Sequence, residues 1–375
     1  MIDARSLKEL CIIKVGKSLG SIARWKKKAC RTAQDQRFLV ICTTGIGDSL
    51  MITPAIANLR YKYPEALIHG LLTKKTELIF RNNPCLDRIL MFRRGLRSLE
   101  VLFSIVSGGY DNVIVFHTSD RVIWLLALAS GADSIVASDW QRGRLAERVT
   151  TNRVLHTSEQ HRIEVYNSLA KVFGADDFCT QMKLFFRRRE QRDARRYVSQ
   201  FPIGAKKTVG IVPGGQNSSR RWPIERYIEL TTKLVSEGFF IFILVGPGEE
   251  DLGQQILTQR IEQKQVVIIN LEFRLFAAVV QTLDLVISND TGSMHVALAV
   301  GTKTLGLFAS ADPLDTGPYK VSSARTINKP VTCFPSNQFI ITERQCLNMN
   351  CANPICMEQI GCDEVFRLAL EMITD

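Results

Sequence analysis

The chain has 375 residues, of which 46% are hydrophobic and 23% charged, with ten cysteines and a formal net charge of +11. Its length exceeds one ordinary domain and suits two with proper cores, and its composition excludes global disorder. Apolar runs such as Phe239–Val245 and Val122–Ala129 stop well short of the roughly 18 residues that read as a bilayer-spanning helix, so no transmembrane helix and no signal peptide are expected.

The charge excess is concentrated at the start. Residues 1–37 hold ten Lys and Arg against three acids, interleaved with Leu7, Leu10, Ile12, Ile13, Val15, Leu19, Ile22 and Trp25. Such a basic extension suggests a segment lying on an anionic membrane surface. Lys8 and Lys26 fall inside the apolar stripe, however, and Gly16 and Gly20 weaken a helix, which also fits a solvated leader. Confinement of the excess charge to this extension argues against a nucleic-acid partner.

From Phe38 onward, short apolar runs alternate with longer amphipathic stretches, the pattern of strand–helix–strand units in a parallel sheet. The first strand is Phe38–Cys42. It ends at a Gly45-Ile46-Gly47-Asp48 loop before a helix over Ser49–Tyr61 interrupted by Pro54. Strands are expected at Ala66–Leu72, Arg88–Phe92 and Asn112–Phe116, closing a first domain at 38–190. The basic stretch from Arg187 to Arg196 reads as the solvated face of a linking helix. A second series, over 205–360, has strands at Thr208–Val212, Phe240–Val245, Val266–Asn270, Leu285–Ser288 and Thr304–Phe308. A closing helix follows in 361–375. Two doubly wound domains imply ligands at the carboxyl ends of the strands, in a cleft between the two.

Three strand-end loops of the second series carry nucleotide-binding chemistry. The first runs from Pro213 to Pro223 and includes Gly214, Ser218, Ser219, Arg220 and Arg221. Glycines admit a phosphate to the backbone, hydroxyls donate to it and arginine neutralises it; an ordinary Gly-rich turn before a proline-started helix is the alternative. The second, Gly246-Pro247-Gly248-Glu249, offers a carboxylate for ribose hydroxyls or a helix-dipole partner. In the third, Asp290 and Thr291 would cap a helix, Gly292 gives close approach, and His295 lies one turn in, facing a ligand or packed in the core. Cys346, Cys351, Cys356 and Cys362 could collect a metal but lack paired Cys-x-x-Cys spacing, and small reduced thiols are the simpler reading.

Taken together, Gly45-Ile46-Gly47-Asp48 with Thr53-Pro54-Ala55, Pro213-Gly214 with Arg220-Arg221-Trp222-Pro223, Asn289-Asp290-Thr291-Gly292 with His295, and Asp312-Pro313 with Thr316-Gly317-Pro318-Tyr319 resemble glycosyltransferase family nine, the ADP-heptose:lipopolysaccharide heptosyltransferases. The resemblance runs from about Phe38 to Ile373. It implies an α/β GT-B fold of two Rossmann-like domains, the first holding the acceptor and the second a nucleotide-sugar donor, ADP-heptose. It implies inversion without a metal or other cofactor, at the cytoplasmic face of a bacterial inner membrane, on an anionic lipid-linked glycan.

On that template Asp48 is the general base, in a loop where it could otherwise cap the next helix. Arg220 stabilises the leaving diphosphate, aided by Arg221. Gly214, Ser218, Ser219, Glu249, Asp290, Thr291, Gly292 and His295 complete the donor site, and Arg121, Arg142 and Arg144 are acceptor candidates. The chain departs from the family pattern in its basic extension, in Ala309-Ser310 after the last strand, and in the Cys333–Cys362 segment. Another nucleotide-sugar donor on the same fold, or a non-catalytic nucleotide-binding module, are the competing readings.

Overall fold

The computed structural model describes residues 4–30, 36–93, 95, 98–118, 120–138, 144–154, 160–215, 218–257, 263–308, 312–329 and 355–374. The chain divides into two compact units, Met1–Thr180 and Gln181–Asp375.

In the first unit α1 (Ala4–Cys30) precedes β1 (Arg37–Cys42), α2 (Ile46–Lys62), β2 (Leu67–Leu72), α3 (Lys74–Phe80), β3 (Arg88–Met91), α4 (Ser98–Val106), β4 (Asn112–His117), α5 (Arg121–Ala129), β5 (Ser134–Ser138), α6 (Arg144–Val149), β6 (Asn152–Val154) and α7 (Arg162–Lys171). The six described strands form one parallel sheet in the order β3-β2-β1-β4-β5-β6. β1 and β4 are buried along almost their whole length, which is why they read as unbroken apolar runs: a parallel sheet is covered on both faces.

The second unit opens with α8 (Arg188–Val198) and continues β7 (Thr208–Val212), α9 (Ile224–Ser236), β8 (Phe240–Leu244), α10 (Glu250–Ile256), β9 (Val266–Ile269), α11 (Phe273–Val280), β10 (Leu285–Asn289), α12 (Gly292–Val300), β11 (Lys303–Phe308), α13 (Pro313–Thr316), β12 (Ala324–Asn328), α14 (Ile355–Glu358) and α15 (Cys362–Thr374). Its parallel sheet has the order β12-β11-β10-β7-β8-β9. Counted within each unit, both sheets run 3-2-1-4-5-6, the doubly wound Rossmann order, with the direction of winding reversing between the first and fourth strands. The expected α/β fold of two Rossmann-like units is therefore present. β5, β6 and β12 were not among the expected strands. β6 and β12 are edge strands with two exposed residues each, Asn152 and Arg153 in β6 and Arg325 and Thr326 in β12, and an edge strand with one neighbour needs no apolar run.

The division falls after Thr180, earlier than the expected end of the first domain at 190. Asn58 and Asn167 explain the position: Asn58 Oδ1 accepts from the Cys179 amide at 2.7 Å, and both amide side chains donate to the Cys179 carbonyl, at 3.0 and 3.2 Å. The basic stretch from Arg187 forms a helix whose arginines are exposed, as expected, but its other face packs on the second unit. α8 buries Ala194 in the second core, and Glu190 receives Arg274 Nε at 2.8 Å while that guanidinium lies over the Phe186 ring. α15 likewise buries Cys362, Val365, Ala369 and Met372 in the second unit's core.

The basic extension is not a solvated leader. α1 lies along α5, with Ile12 and Ile13 against the first core and Ala23 buried with Ala129. Gly16 and Gly20 are the points of closest approach. A Cβ on Gly16 would stand 2.7 Å from Leu128 Cβ, and one on Gly20 2.4 Å from the Leu128 carbonyl oxygen. The two glycines cost helix propensity and are offset by letting the helix axes come together. Lys27 then pairs with Asp111 at 2.5 Å and Asp133 at 2.7 Å. Gly20→Val is expected to lift α1 from α5, because backbone rather than a flexible side chain blocks the new Cβ, at a cost of about 2 kcal/mol. Limited proteolysis should then cleave after the α1 lysines in the variant while sparing the rest of the first unit.

Candidate functional site

In the first unit the winding reverses between β1 and β4, and side chains at their carboxyl ends meet there. Asp48 was expected in the loop after β1. The helix instead begins at Ile46, so Asp48 lies in the first turn of α2, and the N-cap is Gly45, which makes no side-chain cap. α2 runs unbroken through Pro54; Thr53 Oγ1 donates to the Leu50 carbonyl at 2.7 Å, meeting the acceptor that a proline cannot serve.

The Asp48 carboxylate, one-quarter exposed, does not cap its helix. Oδ1 accepts from the Tyr166 hydroxyl at 3.0 Å and stands 3.6 Å from Arg162 Nη1, and Oδ2 is 3.8 Å from His117 Nδ1. α7 packs against α2, and Arg162 and Tyr166, four apart, share the face of α7 turned to Asp48. Burial holds the Tyr166 hydroxyl well above the ordinary tyrosine range, so it remains a donor. Burial also lowers the His117 pKa, with Asp48 opposing, so the imidazole is neutral at neutral pH. Beneath them Cys42, pushed up to about 12 by burial, contacts Ser49 Oγ at 3.3 Å as a thiol. His117, Arg162 and Tyr166 were not foreseen. His117 ends β4, a position worth reading, but nothing in the local pattern of α7 marks its pair.

Of the acceptor candidates, Arg121 is exposed as the first residue of α5, whose N-cap Asp120 accepts from the Val122 amide at 3.0 Å. It follows the same strand that ends in His117. Arg142 lies outside the described residues, as does the side chain of Arg144, whose backbone opens α6.

In the second unit the corresponding reversal lies between β7 and β10, and the three strand-end loops expected to act together are joined there. Asn289, fully buried at the end of β10, is their staple. Its Oδ1 accepts from the Trp222 amide at 3.1 Å and the Tyr227 hydroxyl at 2.8 Å, and its Nδ2 donates to the Pro213 and Gly214 carbonyls, both at 3.0 Å. Trp222 Nε1 reaches the Ile360 carbonyl at 2.9 Å. Glu249 joins the first two loops: its carboxylate accepts from the Gly215 amide at 2.8 Å and the Gly246 amide at 3.0 Å. A Cβ at Gly214 would meet that carboxylate at 2.2 Å, so a side chain there would have to push Glu249 off the two amides.

Arg221 turns inward and donates through Nε and Nη2 to the Gly215 carbonyl at 2.9 and 2.6 Å. Arg220 Nη1 pairs with Asp290 Oδ2 at 2.9 Å. His295 Nε2 lies 4.0 Å from the other oxygen of that almost buried carboxylate. Arg220, Asp290 and His295 thus form one set. Asp290 and Thr291 do not cap α12 as expected. Thr291 holds the N-cap position without a side-chain cap, its Oγ1 3.3 Å from Ser288 Oγ, which leaves the first-turn amides beginning at Gly292 to another acceptor. Ser218, exposed, and Ser219, buried, form a single 3-10 turn with Arg220.

Ala309, Ser310, Cys333, Cys346 and Cys351 lie outside the described residues. Cys356 and Cys362 are buried, and burial pushes Cys362 up to about 12. Among the described residues no group of three or more His, Cys, Asp and Glu is placed to hold a metal, and no helix is long and apolar enough to cross a membrane.

Comparison with known proteins bears on the family and the fold. Residues 101–340 match the model of glycosyltransferase family 9 (heptosyltransferase). The chain is similar to lipopolysaccharide heptosyltransferase 2 of Escherichia coli K12, 25% identical over 300 residues that span 75% of this chain and 85% of that protein. Among solved structures it resembles the family 9 glycosyltransferase of Veillonella parvula, with a TM-score of 0.77 at 20% identity over 92% of this chain and 99% of the other. It also resembles E. coli heptosyltransferase WaaC with ADP-2-deoxy-2-fluoro heptose, with a TM-score of 0.65 at 18% identity over 90% and 99%. With the match covering more than half its length and both units folded as GT-B Rossmann-like domains, the chain belongs to glycosyltransferase family 9, the heptosyltransferases, and is a glycosyltransferase.

Proposed function

We propose that the protein transfers heptose from ADP-heptose to a lipopolysaccharide-core-type acceptor, with inversion and with Asp48 as general base. The observation that carries this reading is the Asp48 carboxylate at the start of α2, steadied on one oxygen by Tyr166 and flanked by Arg162 and neutral His117. A carboxylate so positioned can take the proton of an acceptor hydroxyl. As it does, that oxygen forms a bond to the anomeric carbon, the bond from that carbon to the diphosphate breaks, and the electron pair leaves on ADP.

The second unit meets the other need of the reaction, a seat for the departing charge. Arg220, Ser218, Ser219 and the uncapped start of α12 at Thr291 and Gly292 hold the diphosphate. Gly214 admits it to the backbone, and Arg221 and Glu249 keep the loops in shape, with a free lone pair of Glu249 available to the ribose. Asp290 orients Arg220 and is backed by His295. No metal is invoked, since these groups carry the leaving-group charge. The solved relative containing an ADP-heptose analogue supports the donor, and the relatives' lipopolysaccharide acceptors support an anionic lipid-linked glycan, met by Arg121, Arg142 and Arg144. The protein then works in the cytoplasm at the inner face of the inner membrane.

Purified protein given ADP-heptose and deacylated core acceptors is expected to release ADP and add one heptose mass to the acceptor, at a rate unchanged by EDTA. Turnover with a UDP- or GDP-sugar and none with ADP-heptose overturns the donor assignment, and an EDTA-sensitive rate overturns the metal-free mechanism.

A further inference from the structure

α1 does more than brace α5. Its docked side carries Gly16, Gly20 and Ala23 together with Glu9, the acid of this helix, which is buried. On the opposite side Val15, Ile22 and Trp25 recur at helical spacing and are exposed, Trp25 by 71%. α4 lies beside it and adds Leu99 and Phe103, exposed by 60% and 68%. The two exposed stripes adjoin, because Lys26 Nζ lies 5.6 Å from the centroid of the Phe103 ring. The result is one exposed face that joins apolar and aromatic side chains from two helices, where singly scattered apolar residues would need no explanation.

The rim of this face is basic. Lys8 and Lys14 are exposed at its edges and Lys26 within it. At the α4 end, Arg88 and Arg93 line a hollow of about 290 Å³ with Glu100 and Ser104, so the acid on that side faces two arginines. Exposed aromatic and aliphatic side chains bordered by lysines match the chemistry of an anionic bilayer surface, where apolar groups enter the headgroup boundary and cations meet phosphate. A symmetric contact with a second copy would set basic rim beside basic rim.

We propose that the α1–α4 face docks this enzyme on anionic phospholipid, bringing it to the membrane that carries its acceptor. The biological sense of this docking rests on the lipid-linked acceptor proposed above; the docking itself is separable from turnover.

Full-length protein should float with phosphatidylcholine vesicles that contain phosphatidylglycerol and not with phosphatidylcholine alone, and added salt should release it. Trp25→Ser and Phe103→Ser are each expected to lower the vesicle partition coefficient by about tenfold. Melting temperature and turnover on soluble deacylated acceptor should stay unchanged, since both side chains are exposed and distant in sequence from Asp48. Equal binding to neutral vesicles, wild-type binding by the double variant, or a dimer that the double variant abolishes in the absence of vesicle binding would each overturn the proposal. Vesicle binding without heptose transfer defeats the proposed function alone, and transfer without vesicle binding defeats the docking surface alone.

Discussion

Asp48→Asn is expected to lower kcat by about 1,000-fold while leaving the donor KM and the melting temperature close to wild type. The amide keeps an oxygen for the Tyr166 hydroxyl and nearly the same shape, so the fold loses little. What it cannot do is accept the acceptor's proton, and general-base catalysis is worth roughly 100- to 10,000-fold. Single-turnover measurement of the chemical step checks this directly. Undiminished turnover would remove Asp48 from the mechanism, and a large fall in melting temperature would mean that its role is structural. Tyr166→Phe, which leaves the carboxylate in place but without its anchor, should cause a smaller loss, about tenfold, because positioning rather than proton acceptance is weakened.

Asn289→Ala carries the largest expected stability effect. One buried amide serves the Trp222 amide, the Tyr227 hydroxyl and the carbonyls of Pro213 and Gly214. Truncation leaves these groups short of a partner in a site closed to water. Each unmet buried group costs about 1–3 kcal/mol, and some are partly rescued, since Tyr227 also reaches the Val212 carbonyl at 3.2 Å. The net loss should be about 4 kcal/mol, seen as a lower denaturation midpoint at unchanged m-value. Donor binding should weaken as well, because the same amide holds the first phosphate loop to the third. Asn289→Asp should be no better: it retains the acceptor but turns a carboxylate oxygen towards two carbonyls, adding repulsion to the lost donors. A variant with wild-type stability and ADP affinity would show that the loops hold their shape without the staple.

Much of the donor unit was legible in the chain itself. Its strands β7, β8 and β10 are short, fully buried and apolar, and the chemistry-bearing loops follow each strand end directly, so local pattern was enough to place Gly214, Arg220, Glu249, Asp290 and Thr291 at one end of one sheet. The first unit was less open. Asp48 stood out beside its glycines, but Tyr166, 118 residues later, did not, because a tyrosine on an amphipathic helix reads as core. Pairing also added roles within the loops: Arg221 and Glu249, expected as ligand groups, hydrogen-bond the backbone of the loops they shape.

By itself the sequence determined the alternation of strand and helix, the two successive α/β series and the order of the strand-end motifs, since periodicity and turn chemistry depend on neighbours along the chain. The tertiary structure decided that α8 belongs to the second unit, that Gly16 and Gly20 seat the basic helix on α5 and so offset their cost in helix propensity, and that Asn289 ties loops from across the sheet. Those outcomes depend on which surfaces exclude one another's water and which buried polar groups find partners, and both are settled only when residues far apart in the chain pack together.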